Sequence, residues 1–367
     1  MFALAEMSAV DTVGHTSIRT TNLQGADIMK TIQASGGMPA KDEAAFRIVE
    51  QEKPSPGARD IVVRVVAIGM NPVDTKVRQR MEGDKVLGWD AVGTVEAVGS
   101  EVRDFVPGDR VFYAGDITRP GCNSEYHLVD ERIAAHAPVS LSAADAAAMP
   151  LTSITAWEAL FLRIGFTPEA GANAGRSVLI IGGAGGVGSV ATQLAAWAGL
   201  TVFSTASRPE TAAWCRKMGA ETVLNHRNNL ATELQEQGMQ TVDAIFCTTQ
   251  MERHWQAMAE CIRPQGTIAL IDDPENPLDL TLFKQKSVRI AWEFMYTRSM
   301  FQTEDMAEQG ALLGRVASLL DEGHLVSTRQ ETLHGLTAEN VQAMHVRQES
   351  GTMMGKQVLV VDQSAAS

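Results

Sequence analysis

Residues 177–188 read Ser-Val-Leu-Ile-Ile-Gly-Gly-Ala-Gly-Gly-Val-Gly, and no other stretch constrains the fold as strongly. The run Val178-Leu179-Ile180-Ile181 is short, apolar and partly β-branched, the pattern of a strand buried on both faces of a parallel sheet. Glycines follow at 182, 183, 185, 186 and 188, and Val190, Leu194, Ala195 and Trp197 then recur at helical spacing. A strand, a glycine turn and a helix in that order are the setting in which Gly183, Gly185 and Gly188 form a meaningful Gly-x-Gly-x-x-Gly match. Small residues there let the backbone N–H groups of Gly183, Ala184, Gly185, Gly186, Val187 and Gly188 approach a pyrophosphate at the positive end of a helix dipole. The match therefore predicts a dinucleotide site.

The following strand, 201–204, bears on which dinucleotide. It ends in Thr205-Ala206-Ser207-Arg208-Pro209, with no acidic residue before Glu210 to accept from the hydroxyls of an adenine ribose. Ser207 and Arg208 instead offer a hydroxyl and a guanidinium, which suit a 2′-phosphate and favour NADPH over NADH. Strand and helix patterns then alternate over 210–218, 222–225, 229–237, 242–247, 253–263 and 266–271, with a last strand at 288–294. The expected result is a six-stranded, doubly wound parallel sheet. Ligands of such sheets bind beyond the carboxyl ends of the strands, which nominates His226, Cys247, Thr248, Asp272 and Phe294 as further cofactor contacts.

The chain before residue 140 has a different texture. Strand patterns at 29–50, 59–70, 110–113 and 124–130 are short, and glycine recurs through 87–99, as in bent and bulged strands of a compact barrel. Ser142 and Asp145 form a capping-box-like start of the first helix after it. Amphipathic helices are expected at 304–322 and 337–349, and a terminal strand at 358–361 that pairs back with the barrel. Residues 1–28 lack strong periodicity and read as a poorly ordered extension, with Met29 an alternative start. The division expected is 1–28, a β-domain over 29–152, a dinucleotide domain over 153–296, and a returning segment over 297–367.

With 44 Asp and Glu against 31 Lys and Arg, the formal charge of −13 argues against nucleic acid or an anionic membrane as a main partner. Cys122, Cys215, Cys247 and Cys261 have no Cys-x-x-Cys spacing, which fits free thiols in a reducing cytoplasm. No apolar run approaches the ~20 residues that span a bilayer.

In this order, Gly69-x-Asn71-Pro72-x-Asp74, Gly93-Thr94-Val95-x-x-Val98-Gly99, 107–111 (Pro-Gly-Asp-Arg-Val), 151–160 (Leu-Thr-Ser-Ile-Thr-Ala-Trp-Glu-Ala-Leu) and the glycine loop resemble the medium-chain dehydrogenase/reductase superfamily. The resemblance is closest to its quinone oxidoreductase branch and the subgroup called zinc-type alcohol dehydrogenase-like. It covers residues 29–361 and implies an α/β architecture: a GroES-like β-barrel catalytic domain, a Rossmann domain, a cleft between them and a homodimer. By the same resemblance Asn71, Asp74, Trp89 and Tyr113 line the cleft as catalytic residues, with Tyr113 the phenol that donates to the substrate. Thr155, at the domain junction, is expected to bond the nicotinamide end, and Gly355-Lys356 resembles a family position near the cofactor cleft. Zinc-dependent members carry ligands where this chain has Asn71, Trp89-Asp90 and Leu151, so no metal is expected. What remains feasible is hydride transfer to a quinone or an α,β-unsaturated carbonyl. The alternatives are an NADP-dependent alcohol dehydrogenase and an NADPH-binding protein with a sensing or structural role.

Overall fold

A computed structural model of the protein describes residues 27–361. The expected N-terminal extension lies outside them except for Asp27 and Ile28, and Ile28 already belongs to the first strand.

The first part of the chain is β-rich, as its glycine-bent pattern implies. Strands β1 (Ile28–Ser35), β2 (Phe46–Glu52) and β3 (Asp60–Gly69) precede helix α1 (Pro72–Arg80). Strands β4 (Asp84–Val86), β5 (Asp90–Val98), β6 (Arg110–Ala114), β7 (Tyr126–Asp130) and β8 (Ala134–His136) follow. Where the sequence suggested one strand pattern over 29–50, two antiparallel strands pair, with Ile32 opposite Ile48. β3 and β5 are the longest antiparallel pair, and their register shifts twice, at Val62/Val63 and Val65/Ala67. Each shift is a bulge that bends the sheet toward closure.

The middle of the chain alternates strand and helix. Helix α2 (Ala143–Ala147) begins at the expected Ser142 cap, whose Oγ accepts from Asp145 N. Helix α3 (Pro150–Trp157) starts three residues earlier than its apolar pattern suggested, because Pro150 is pre-set for the first helical position. It is buried along its whole length and runs on as a π-helical turn over Glu158–Arg163. Then come β9 (Ser177–Ile181), α4 (Gly186–Trp197), β10 (Thr201–Thr205), α5 (Pro209–Lys217), β11 (Thr222–Leu224) and α6 (Leu230–Glu236). β12 (Val242–Cys247), α7 (Met251–Cys261), β13 (Ile262–Leu270) and β14 (Arg289–Trp292) complete the series. The strand order is β11-β10-β9-β12-β13-β14, all parallel. The order reverses between β9 and β12, the point at which such sheets bind ligands.

The last part returns to the barrel. Helices α8 (Thr297–Phe301) and α9 (Glu308–Asp321) lead to β15 (Arg329–His334), α10 (Ala338–Glu349) and β16 (Lys356–Val360). β16 pairs antiparallel with β3 and parallel with β15, a strand the sequence pattern did not reveal. Just before β16, Gly355 bridges to Gly185 of the glycine loop, its N–H donating to Ala184 O at 2.9 Å. This single crossing ties the terminal strand to both halves of the molecule and sets Lys356 between them. No described helix is long and apolar enough to cross a membrane.

Candidate active site

The glycine loop is shaped for a close ligand. A Cβ on Gly188 would strike the Gly182 carbonyl, so only glycine lets α4 start this near β9. One on Gly186 would sit 2.9 Å from Lys356 Cδ and 3.1 Å from Thr152 Cγ2, which places these side chains against the loop. No side chain caps α4 at Gly185, so the first N–H groups of a twelve-residue helix have no side-chain acceptor. That arrangement fits the pyrophosphate of a dinucleotide. Thr248 stands beside the loop and donates to Ile181 O at 2.8 Å.

Around the ends of β10 and β11 positive charge gathers, in a chain that is acidic overall. Ser207 and Arg208 follow β10, and His226 and Arg227 follow β11. The Arg208 guanidinium pairs with Glu210 at 2.6 Å and donates to Thr352 O at 3.2 Å. His226 is held below its ordinary pKa by burial first, and then by Arg253, Arg227 and Arg208, so all three guanidiniums lie within electrostatic reach of it. Arg253, on α7, is a member of this group that the sequence pattern did not single out. Its neighbour His254 is pushed down to about 4 by burial, so both imidazoles are neutral at pH 7.

Across the loop lies a buried polar cluster. Asp90, at the start of β5, accepts from Lys356 Nζ at 2.8 Å and from Asn71 Nδ2 at 2.8 Å through Oδ2. Its Oδ1 accepts from Leu151 N at 2.6 Å. Lys356 also donates to Asn71 Oδ1. Asn71 and Asp90 are wholly buried and Lys356 nearly so. Lys356 meets both Asn71 and the glycine loop.

Several expected contacts have other duties. Asp74 accepts from Asn71 N at 2.7 Å and Gly88 N at 3.0 Å, closing a capping box at the start of α1. Burial raises its pKa to about 7, but both carboxylate oxygens are engaged by backbone, so it positions Asn71 rather than facing a ligand. Thr155 donates to Leu151 O at 2.9 Å, one helical turn back. Cys247 is fully buried, and burial pushes its thiol up to about 12, which removes it as a cofactor contact or nucleophile. Asp272 spans toward the β-domain, taking Lys76 Nζ at 3.0 Å and Gln250 N at 2.9 Å. Phe294 is 46% exposed and packs edge-on to Tyr296.

Tyr113 was the phenol expected to donate to substrate, and the structure corrects this. His127 Nε2 lies 3.0 Å from Pro120 O, a carbonyl that can only accept, so Nε2 carries the proton. Burial holds His127 down to about 4, so its Nδ1 is unprotonated and accepts from the Tyr113 hydroxyl at 3.0 Å. Tyr113 is wholly buried, and its only proton is engaged. Trp89 is also buried and donates from Nε1 to Asp116 O at 3.1 Å. Its ring meets Tyr296 edge-on at 6.1 Å, so it walls this region through its carbon face.

The residues here do not fit a zinc ion. The cluster offers one carboxylate and one amide, and an ammonium already compensates their charge. Among the described residues no three His, Cys, Asp or Glu side chains gather around a point that could hold a metal. Two cavities of about 620 and 600 Å³ lie against the barrel, one beside Arg64, Arg110 and Arg329, the other beside Phe105, His136 and Gly310. Neither includes a residue of the glycine loop or the Asn71 cluster, so chemistry rather than volume locates the site.

The geometry agrees with what the chain is similar to. Residues 57–139 match the alcohol dehydrogenase GroES-like domain, and residues 186–309 match the domain called zinc-binding dehydrogenase. A zinc-type alcohol dehydrogenase-like protein of Staphylococcus aureus is 44% identical over 333 residues, which is 90% of this chain and 99% of that protein. Human quinone oxidoreductase is 29% identical over 274 residues, 71% of this chain and 79% of its own. A Rhizobium etli crystal structure, provisionally called a zinc-dependent alcohol dehydrogenase, superposes with a TM-score of 0.88 at 47% identity over 91% of this chain and 98% of that one. A mycobacterial protein complexed with NADPH superposes at 0.76, with 25% identity over 90% and 99% of the two chains.

Proposed function

The chain belongs to the medium-chain dehydrogenase/reductase superfamily, and from that premise we propose that it is a zinc-independent oxidoreductase passing hydride from NADPH to a quinone or an α,β-unsaturated carbonyl. The observation that carries this reading is the Lys356–Asp90–Asn71 cluster: a buried ammonium occupies the polar centre, and a Lewis-acid metal has no ligand set there. Bound NADPH would supply the hydride. The N–H groups of Gly186, Val187 and Gly188 at the start of α4 would hold its pyrophosphate, since those of Gly183 and Gly185 donate to Thr205 O and Gly182 O, and Ser207, Arg208, Arg227 and Arg253 would hold its 2′-phosphate. Thr248 and Lys356, beside the loop, would then face the bound cofactor. Without a metal to polarise an alcohol, an acceptor that delocalises charge onto its own oxygen is the better substrate. The quinone oxidoreductase among the relatives and the NADPH complex among the solved structures support both halves of the reading.

The relatives named for alcohol dehydrogenase favour a second reading, NADP-dependent alcohol oxidation. Absorbance at the reduced-nicotinamide band separates the two. NADPH and NADH are each offered 1,2-naphthoquinone, 9,10-phenanthrenequinone and a 2-alkenal, and NADP⁺ is offered ethanol. Consumption of NADPH by quinone or alkenal, with little from NADH, is the expected result. Turnover of ethanol alone would overturn it.

We propose further that the protein is a homodimer through the open edge of the Rossmann sheet. β14 is the edge strand, and Trp292 at its end is 54% exposed, with Phe301 at 72% and Leu280 at 63% nearby in sequence. Light scattering at micromolar concentration checks the mass.

A further inference from the structure

Tyr296 sits four residues past the end of the last parallel strand, and its side chain is 2% exposed. Its hydroxyl is buried and has no hydrogen-bond partner among the described residues. Such a group is costly to leave unpaired. The neighbours explain why it finds no acceptor. Asp90 already accepts from Leu151, Asn71 and Lys356, and Asp74 from Asn71 and Gly88. The Cys122 thiol is spent on Asp90 O at 3.4 Å. The other two tyrosines are engaged, Tyr113 by His127 and Tyr126 by Lys53, whose ammonium lies 4.2 Å from the ring centre. Burial, and then Asp74, Asp90, Cys122 and Asp116, push the Tyr296 phenol well above its ordinary pKa, so it keeps its proton.

From this juxtaposition we infer that Tyr296 is the hydrogen-bond donor to the carbonyl oxygen of the hydride acceptor, the role expected of Tyr113. The inference rests on the reading of the site as an NADPH-dependent carbonyl-acceptor reductase. In that step the β-carbon of the acceptor gains a hydride from reduced nicotinamide. The C=C electron pair moves toward the carbonyl, and the charge that develops on oxygen meets the Tyr296 O–H. The phenol keeps its proton, and one from water completes the product at the α-carbon. A buried donor held away from water acts on charge that develops as the hydride arrives, so it raises kcat more than it lowers KM.

The test compares wild type with Tyr296→Phe and, as control, Tyr113→Phe. Four readings are taken: kcat and KM with a quinone and a 2-alkenal, NADPH binding, the melting temperature, and binding of 4-nitrophenolate with NADP⁺. The nitrophenolate is an oxyanion probe that needs no turnover. Y296F should lower kcat about 10²-fold with a smaller change in KM. It should weaken nitrophenolate about 10-fold or more, leave NADPH affinity unchanged, and leave the melting temperature equal or higher, because the hydroxyl has no partner to lose. Y113F should lower the melting temperature and spare kcat. Y296F with wild-type kcat and nitrophenolate binding would overturn the inference while the reductase reading stood. If wild type reduces no acceptor yet nitrophenolate binding depends on Tyr296, Tyr296 is an oxyanion donor but the reductase reading falls, and with it the donor's role in hydride transfer. If wild type is inactive and binding ignores Tyr296, both fall.

Discussion

Lys356 Nζ lies 2.8 Å from Asp90 Oδ2 in an ion pair whose two side chains are at most 3% exposed. Neither charge reaches bulk water, so each depends on the other and on Asn71. Removing one member of a buried pair typically costs about 3–5 kcal/mol, because the survivor is left uncompensated. Lys356→Met should therefore lower the free energy of urea unfolding at pH 7 by that order. Lys356→Met with Asp90→Leu should recover much of the loss, yet stay inactive as a reductase. A single K356M variant as stable as wild type would show that the pair contributes little.

Arg208 and Arg253 reach the His226 region from different elements, the start of α5 and α7. A guanidinium bonded to phosphate contributes about 1.5–3 kcal/mol, or roughly 10–100-fold in affinity. Arg208→Asp should raise the KM for NADPH by at least about 10-fold and change that for NADH far less. Arg253→Gln should act in the same direction. NADPH binding should also weaken with added salt more steeply than NADH binding. Equal changes for the two cofactors would remove both arginines from the 2′-phosphate site.

The parallel sheet was legible because its central strands β9 and β12 are mostly apolar runs bounded by turn residues, and β12 falls on the expected bounds. The glycine loop was legible because the match sits between a strand and a helix. Arg253 was not, because a surface arginine inside a helix has no local signature, and only the sheet order brings it beside His226. β15 escaped because its sequence, Arg-Gln-Glu-Thr-Leu-His, is polar, and it is a strand only through pairing with β16. Tyr113 and Tyr296 were indistinguishable as letters. Their difference lies in which has a partner, a property of the folded packing that starts with the tautomer of His127.

Glu158 and Glu293 form a buried acidic pair, between the π-helical turn and the end of β14. Arg163 donates to Glu293 at 2.8 Å, and Arg298 pairs with Glu158. As a carboxylate, Glu293 would have an unpartnered Oε1; as an acid it donates to Glu158. Burial, and then the Glu158 charge, raise its pKa to about 9. The native state then holds a proton that the unfolded chain releases above its ordinary carboxyl range. Stability falls as pH rises from about 4.5 toward about 9, at up to about 1.4 kcal/mol per pH unit. Glu293→Gln keeps the donor and cannot ionise. Its stability relative to wild type should grow from pH 5 to pH 9 in urea titrations, and a constant difference would rule out the shared proton.

His345 sets the opposite limb. It is wholly buried on α10 against Phe46, ring centres 4.7 Å apart, and neither ring nitrogen has a partner among the described residues. Burial first, and then the Arg78 guanidinium, push its pKa down to about 3. The native imidazole stays neutral while the unfolded one takes up a proton below its ordinary value of 6.5. The unfolded state binds more protons across this window, so stability is lost as pH falls from about 6.5 toward about 3, at up to about 1.4 kcal/mol per pH unit. His345→Leu removes the proton site and two unsatisfied nitrogens while keeping an apolar contact with Phe46. At pH 8 it should be at least as stable as wild type. At pH 4.5 its advantage should be larger than at pH 8 by up to about 2.7 kcal/mol, the difference opening as pH falls through about 6.5. Parallel acid limbs in the two proteins would mean that His345 takes up its proton within the fold and that the acid sensitivity arises elsewhere.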